Sequence, residues 1–222
     1  MPVFRSLESR ILAGRREPWL ASTRDVKKIV DKHGANLRVL ELLYGGHPGT
    51  VIVSSIAESF DAIAARTDAV NADPELRSFM TSLAKQPDFP FAEPVEVRLS
   101  SDITEEVGGG AGSLDNVGVF QLTTIRLRPG LRDKLIGFIR QMREVRGAAG
   151  RPKANVLQVV AGDPNAFTLV HTYPNLAAWA KDRAEGQPKG AQDVLNKARS
   201  DAQFPYADPI ATRVFREITA QL

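Results

Sequence analysis

An α+β fold made of two consecutive βαββαβ units is what this sequence predicts, on three observations. The segment Phe89-Pro90-Phe91-Ala92-Glu93-Pro94-Val95 returns as Phe204-Pro205-Tyr206-Ala207-Asp208-Pro209-Ile210, an offset of 115 in a chain of 222 residues. Extended through Ile103 and Ile218, the match holds six identities in fifteen positions, where chance would give roughly one. The alternating and helical apolar patterns before each copy also recur in the same order. Between the copies lies Gly108-Gly109-Gly110-Ala111-Gly112-Ser113, which no core requires and which suits a joint. The expected organisation is therefore repeat 1 over residues 1–104, a Gly-rich linker over 105–116 and repeat 2 over 117–222.

In the first repeat, Phe4, Leu7, Ile11 and Leu12 mark a strand that stops at Gly14. Glu17-Pro18 opens a helix, since proline is tolerated where an amide has no intrahelical acceptor and an acid suits the positive end of the dipole. Trp19, Val26, Ile29, Val30 and His33 share its face, and Gly34 ends it. His33 reads as a favourable charge at the helix C-terminus. Leu37 to Tyr44 is apolar on both alternating sets, as in a strand covered on both sides. Gly45-Gly46-His47-Pro48-Gly49 turns it into Val51–Ile56 as a hairpin. A helix from Phe60 is followed by Asp73-Pro74-Glu75, an N-cap with proline in first helical position, which starts a second helical piece. Val95, Val97 and Leu99 form the last strand.

The second repeat follows suit. Val119-Phe120 aligns with Val3-Phe4, Leu135 with Trp19, Ser55 with His171 and Ile63 with Trp179, all at an offset of 116. Length changes fall in loops, where a structural repeat tolerates them. Its first helix carries Leu131, Leu135, Phe138, Ile139, Met142 and Val145 as an apolar stripe. Arg140, Arg143, Arg146, Arg151 and Lys153 read as a solvated basic end.

Composition narrows the function classes. With 43% hydrophobic and 25% charged residues, the chain is that of an ordinary globular protein. The absence of cysteine excludes disulfides and thiolate chemistry, and a cytoplasmic location is the simplest expectation. Neither a signal-length nor a membrane-spanning apolar run is present. A formal charge of +3 is weak support for nucleic acid, so neither nucleic acid nor membrane is an expected partner. The glycine cluster lacks the strand, the Lys-Ser/Thr and the helix of a phosphate loop. Three histidines without metal-site spacing and the absence of H-E-x-x-H and G-x-S-x-G argue against metal and serine-hydrolase chemistry.

Two βαββαβ units of about 100 residues, each closing on an antiparallel strand, resemble tandem ferredoxin-like domains of the dimeric α/β-barrel superfamily. That group includes the antibiotic-biosynthesis monooxygenase-like, NIPSNAP-like and EthD-like families. The resemblance rests on element order and duplication. It implies two antiparallel sheets facing each other as an intrachain α/β barrel, a pseudo-dimer with helices outside and an apolar cavity for a small molecule within. Further homo-oligomerisation is left open. It also implies cofactor-independent oxygenation, or a related proton transfer, of an apolar or aromatic substrate. No cofactor is expected, although haem binding occurs among relatives. Alternation groups Phe167, Leu169, His171 and Tyr173 on one strand face. His171 and Tyr173 are accordingly the expected catalytic pair on the cavity wall. Phe167, Tyr44 and His47 are the expected substrate contacts, His47 from a hairpin tip at the barrel mouth. The rival reading is a non-catalytic ligand-binding or stress-associated scaffold module.

Overall fold

The computed structural model describes residues 1–109 and 117–222. Part of the expected joint, residues 110–116, therefore lies outside the described residues. Two compact units are present: Met1–Ser100 with Arg216–Leu222, and Ser101–Phe215. The element order is β1 (Val3–Ile11), α1 (Arg16–Asp31), β2 (Arg38–Tyr44), β3 (Thr50–Ala57), α2 (Phe60–Ala72), α3 (Pro74–Leu83) and β4 (Ala92–Asp102), then β5 (Val119–Leu127), α4 (Arg132–Ala148), β6 (Asn155–Ala161), β7 (Ala166–Tyr173), α5 (Leu176–Ala184), α6 (Lys189–Arg199) and β8 (Ala207–Glu217). The predicted order of strands and helices is observed, with the last helical stretch of each unit divided in two, a division expected at Asp73-Pro74 in the first unit only.

In the first unit the strand order is β4-β1-β3-β2, with β1–β3 and β3–β2 antiparallel. One sheet face carries Val39, Val51 and Val53, which pack with Trp19 and Leu20 of α1, Leu83 of α3 and Phe91. Local capping sets where the helices begin: Ser59 Oγ accepts from the Ala62 amide at 3.1 Å, and Asp73 Oδ1 from that of Glu75 at 2.7 Å. His33 does not act on the carbonyl end of its helix; its Nε2 meets Asp73 Oδ2 at 2.8 Å.

The second unit has the order β8-β5-β7-β6, with β5–β7 and β6–β7 antiparallel. Its core joins Val156 of β6 and Phe167 of β7 to Leu135, Ile136 and Ile139 of α4 and Ala198 of α6. Residues 105–107, expected in the joint, instead belong to a 3-10 turn (Thr104–Val107) whose Val107 is fully buried in this core.

The contact units and the sequence repeats differ in their ends, and the repeat explains how. Ile103, past the last strand of repeat 1, donates its amide to Val156 O at 2.9 Å, while Thr104 Oγ1 accepts from Val156 N at 2.9 Å. At the chain end, Ile218 donates to Val39 O at 2.9 Å, and Thr219 Oγ1 accepts from Val39 N at 2.9 Å. One clip closes the second unit and its copy closes the first. Each hydroxyl accepts from a strand amide. Thr104→Val is expected to lower stability by about 1–3 kcal/mol, because the Val156 amide is left buried and unpaired. Thr104→Ser should restore most of it; urea unfolding of both variants checks this.

Candidate functional site

A buried polar cluster sits under the helices of the second unit. Tyr173, at the end of β7, donates its hydroxyl to Asp182 Oδ2 of α5 at 2.9 Å. Arg146 of α4 donates through Nη2 to both oxygens of Asp182, at 3.2 and 3.1 Å, and Arg151 Nη1 adds a bond of 2.7 Å. Arg146 is further held by Pro152 O at 3.1 Å and Gln187 Oε1 at 2.7 Å. Burial opposes the Asp182 charge, but the Tyr173 hydrogen bond and the charge and hydrogen bonds of Arg146, followed by Arg151, outweigh it and hold the carboxyl below its usual range. Burial together with that bond to Asp182 pushes the Tyr173 phenol far above its ordinary value. Tyr173 is therefore a fixed hydrogen-bond donor, neither acid nor base at neutral pH.

His171 lies two residues before Tyr173 on the same strand face. Its Nδ1 has no accessible surface and no hydrogen-bond partner. Burial, reinforced by the charge of Arg146 and opposed by Asp182, pulls its pKa to about 4, so the imidazole is neutral at pH 7. The unfolded chain takes up this proton below pH 6.5 and the folded protein does not until about pH 4. Stability is thus present above pH 6.5 and falls on acidification through that window, by up to about 3 kcal/mol. Urea titrations between pH 7 and 4 are expected to show that slope, and His171→Gln to flatten it.

The repeat shows that the cluster belongs to the second unit alone. At an offset of 116, the counterparts of Arg146, His171, Tyr173 and Asp182 are Val30, Ser55, Ala57 and Arg66. Arg143 and Arg146, expected on a solvated face, are 4% and 7% exposed. The signal was present: they fall four and seven residues after Ile139, on the stripe that carries Leu135.

The expected catalytic wall lies on the helix-covered face of β7. Phe167, Leu169 and Tyr173 point at the helices, Phe167 fully enclosed in the α4 core and Tyr173 against Ala178 and Trp179 of α5. The bulky set of β7 fills the core, while Ala166, Thr168, Val170 and Thr172 take its other face. His171 and Tyr173 are brought together, but on the helix-covered side. Phe167 offers no surface to a ligand. Tyr44 and His47 are exposed in the first unit, at the end of β2 and in the following turn, and neither joins the cluster.

Beside the cluster is a cavity of 520 Å³ lined by Arg143, Gly147, Arg151, Lys153, Asn155 and Thr172, with Gly150 and Pro152. Its size is that of a small-molecule pocket. Haem would need an axial ligand, and the histidines do not fit: His33 is bonded to Asp73, His171 Nδ1 is enclosed and His47 sits in an exposed turn. Among the described residues no helix is long and apolar enough to cross a membrane.

No protein-family model and no curated protein matches this chain. Solved structures do. An anthrone oxidase-like protein superposes with a TM-score of 0.58 at 11% identity, over 98% of this chain and 91% of its own. A protein described as a "putative monooxygenase" from Fusobacterium nucleatum subsp. nucleatum ATCC 25586 gives 0.57 at 11%, over 97% and 91%. The chlorite dismutase of Candidatus Nitrospira defluvii in complex with imidazole gives 0.56 at 9%, over 99% and 92%. This chain shares the fold of these proteins, which belong to the dimeric α/β-barrel superfamily. At such identities the dimeric α/β-barrel likeness concerns fold alone.

Proposed function

We propose that this protein binds a small apolar or aromatic molecule, with two ferredoxin-like units serving as the halves of an α/β barrel, and oxidises it in a monooxygenase-like, cofactor-independent way. The supporting observation is His171, a neutral imidazole beside Tyr173 on β7, whose counterpart in the first unit is Ser55. Names among the fold neighbours, anthrone oxidase-like and "putative monooxygenase", point to the same chemistry. An activated methylene gives a proton to His171, the carbanion reduces dioxygen, one oxygen atom becomes the product carbonyl, and the other leaves as water with the two substrate hydrogens. Tyr173 positions Asp182 and Arg146 and transfers no proton.

A second reading, ligand binding without turnover, is favoured by the enclosure of His171 Nδ1 and by the engagement of Tyr173 with Asp182. Oxygen consumption with anthrone as substrate separates the two. His171→Gln is expected to reduce the rate about 100-fold or more. An equal rate in wild type and variant removes His171 from the reaction, and no rate in either favours binding alone.

A further inference from the structure

Arg143 combines burial with missing partners. Its Nε and Nη1 have neither accessible surface nor a hydrogen-bond acceptor, and Nη2 packs so closely on Gly109 that a Cβ there would collide with it. Burial lowers its pKa and Asp102 opposes the shift, but Asp102 spends Oδ1 on the Thr104 amide at 2.8 Å. Guanidinium stays charged in proteins, and a buried charge without acceptors is unfavourable.

The repeat shows what is missing. At an offset of 116, Arg143 corresponds to Lys27 and Gly147 to Asp31. In the first unit Lys27 Nζ meets Asp31 Oδ2 at 2.7 Å, one helical turn on. The second unit keeps the cation and has glycine in place of the acid. Both Arg143 and Gly147 line the 520 Å³ cavity, together with Arg151 and Lys153 and, among the described residues, no carboxylate. Arg151 is already committed to Asp182 and Glu185. The room beside Gly147 holds the Cε of Lys153, an exposed and flexible side chain.

We propose that this cavity binds a small organic anion whose carboxylate or phosphate group takes the place of the side chain absent at Gly147, between Arg143 and Lys153. Entry requires the Lys153 stem to swing outward, after which its ammonium joins the acid group while Asn155 and Thr172 line the remaining space. A cavity of this size accommodates an organic body besides the acid group. Charge-assisted contacts to a buried guanidinium are the strong kind. This site does not depend on the oxidation reading.

The test is calorimetric titration of the full chain with inorganic phosphate and, separately, with benzoate, against sodium chloride at matched ionic strength. Saturable binding of phosphate identifies a phosphoryl ligand, and binding of benzoate alone a carboxylate. In either case Arg143→Gln is expected to weaken binding at least tenfold. Gly147→Asp, which restores the internal acid, is expected to abolish binding while raising the melting temperature of the unliganded protein. It covers the case in which Arg143→Gln fails to fold. Absence of saturable binding to both probes, or binding that Gly147→Asp leaves unchanged, overturns the proposal.

Discussion

Asp182→Ala is expected to cost about 3–5 kcal/mol of stability, a drop of about 10 °C in melting temperature. The carboxylate accepts from Arg146, Arg151 and Tyr173, and the side chains of Arg146 and Asp182 are only 8% and 7% exposed. Removing the acid leaves a buried guanidinium without its counter-charge and a buried phenol without an acceptor. The double variant Arg146→Met/Asp182→Leu should be less damaged than the sum of the single changes, because it removes both charges together. Arg66, the counterpart of Asp182, supplies a contrast: it bonds Ile56 O and Glu58 near the surface. Arg66→Ala should cost under about 1 kcal/mol. Equal effects at the two positions would show that the buried cluster has no special part in the fold.

Phe167→Ala is expected to cost about 3–5 kcal/mol, most of it from a cavity that its neighbours cannot close. Phe167 is fully buried, packed with Val156, Leu135, Ile136 and Ile139. The substrate contact expected from sequence would behave differently, with little change in stability and a change in ligand affinity. Chemical denaturation of Phe167→Ala and Phe167→Leu distinguishes these, the leucine recovering most of the loss because it restores volume. A loss below about 1 kcal/mol would contradict the core assignment.

Much of the local structure was legible because it depends on neighbours in the chain. Asp73-Pro74 starts α3, and Gly34 takes a positive φ just after α1, for reasons carried by those residues themselves. The alternation of β7 correctly grouped Phe167, His171 and Tyr173. Which side that group faces was not encoded in the alternation, although the larger side chains were a usable hint. The α4 arginines were misread because a basic run is ordinarily solvated. Their positions on the apolar stripe carried the opposing signal.

The sequence by itself determined the order and type of the elements, since periodicity and caps act over a few positions. Tertiary structure alone decided that Asp182 meets Arg146 across thirty-six residues, that Arg143 is buried without an acceptor, and that the ends of the repeats are clipped by Thr104 and Thr219. Those outcomes depend on which helix lands on which sheet face and on which distant charge then loses its water. Spacing along a chain carries no such information, and packing supplies it.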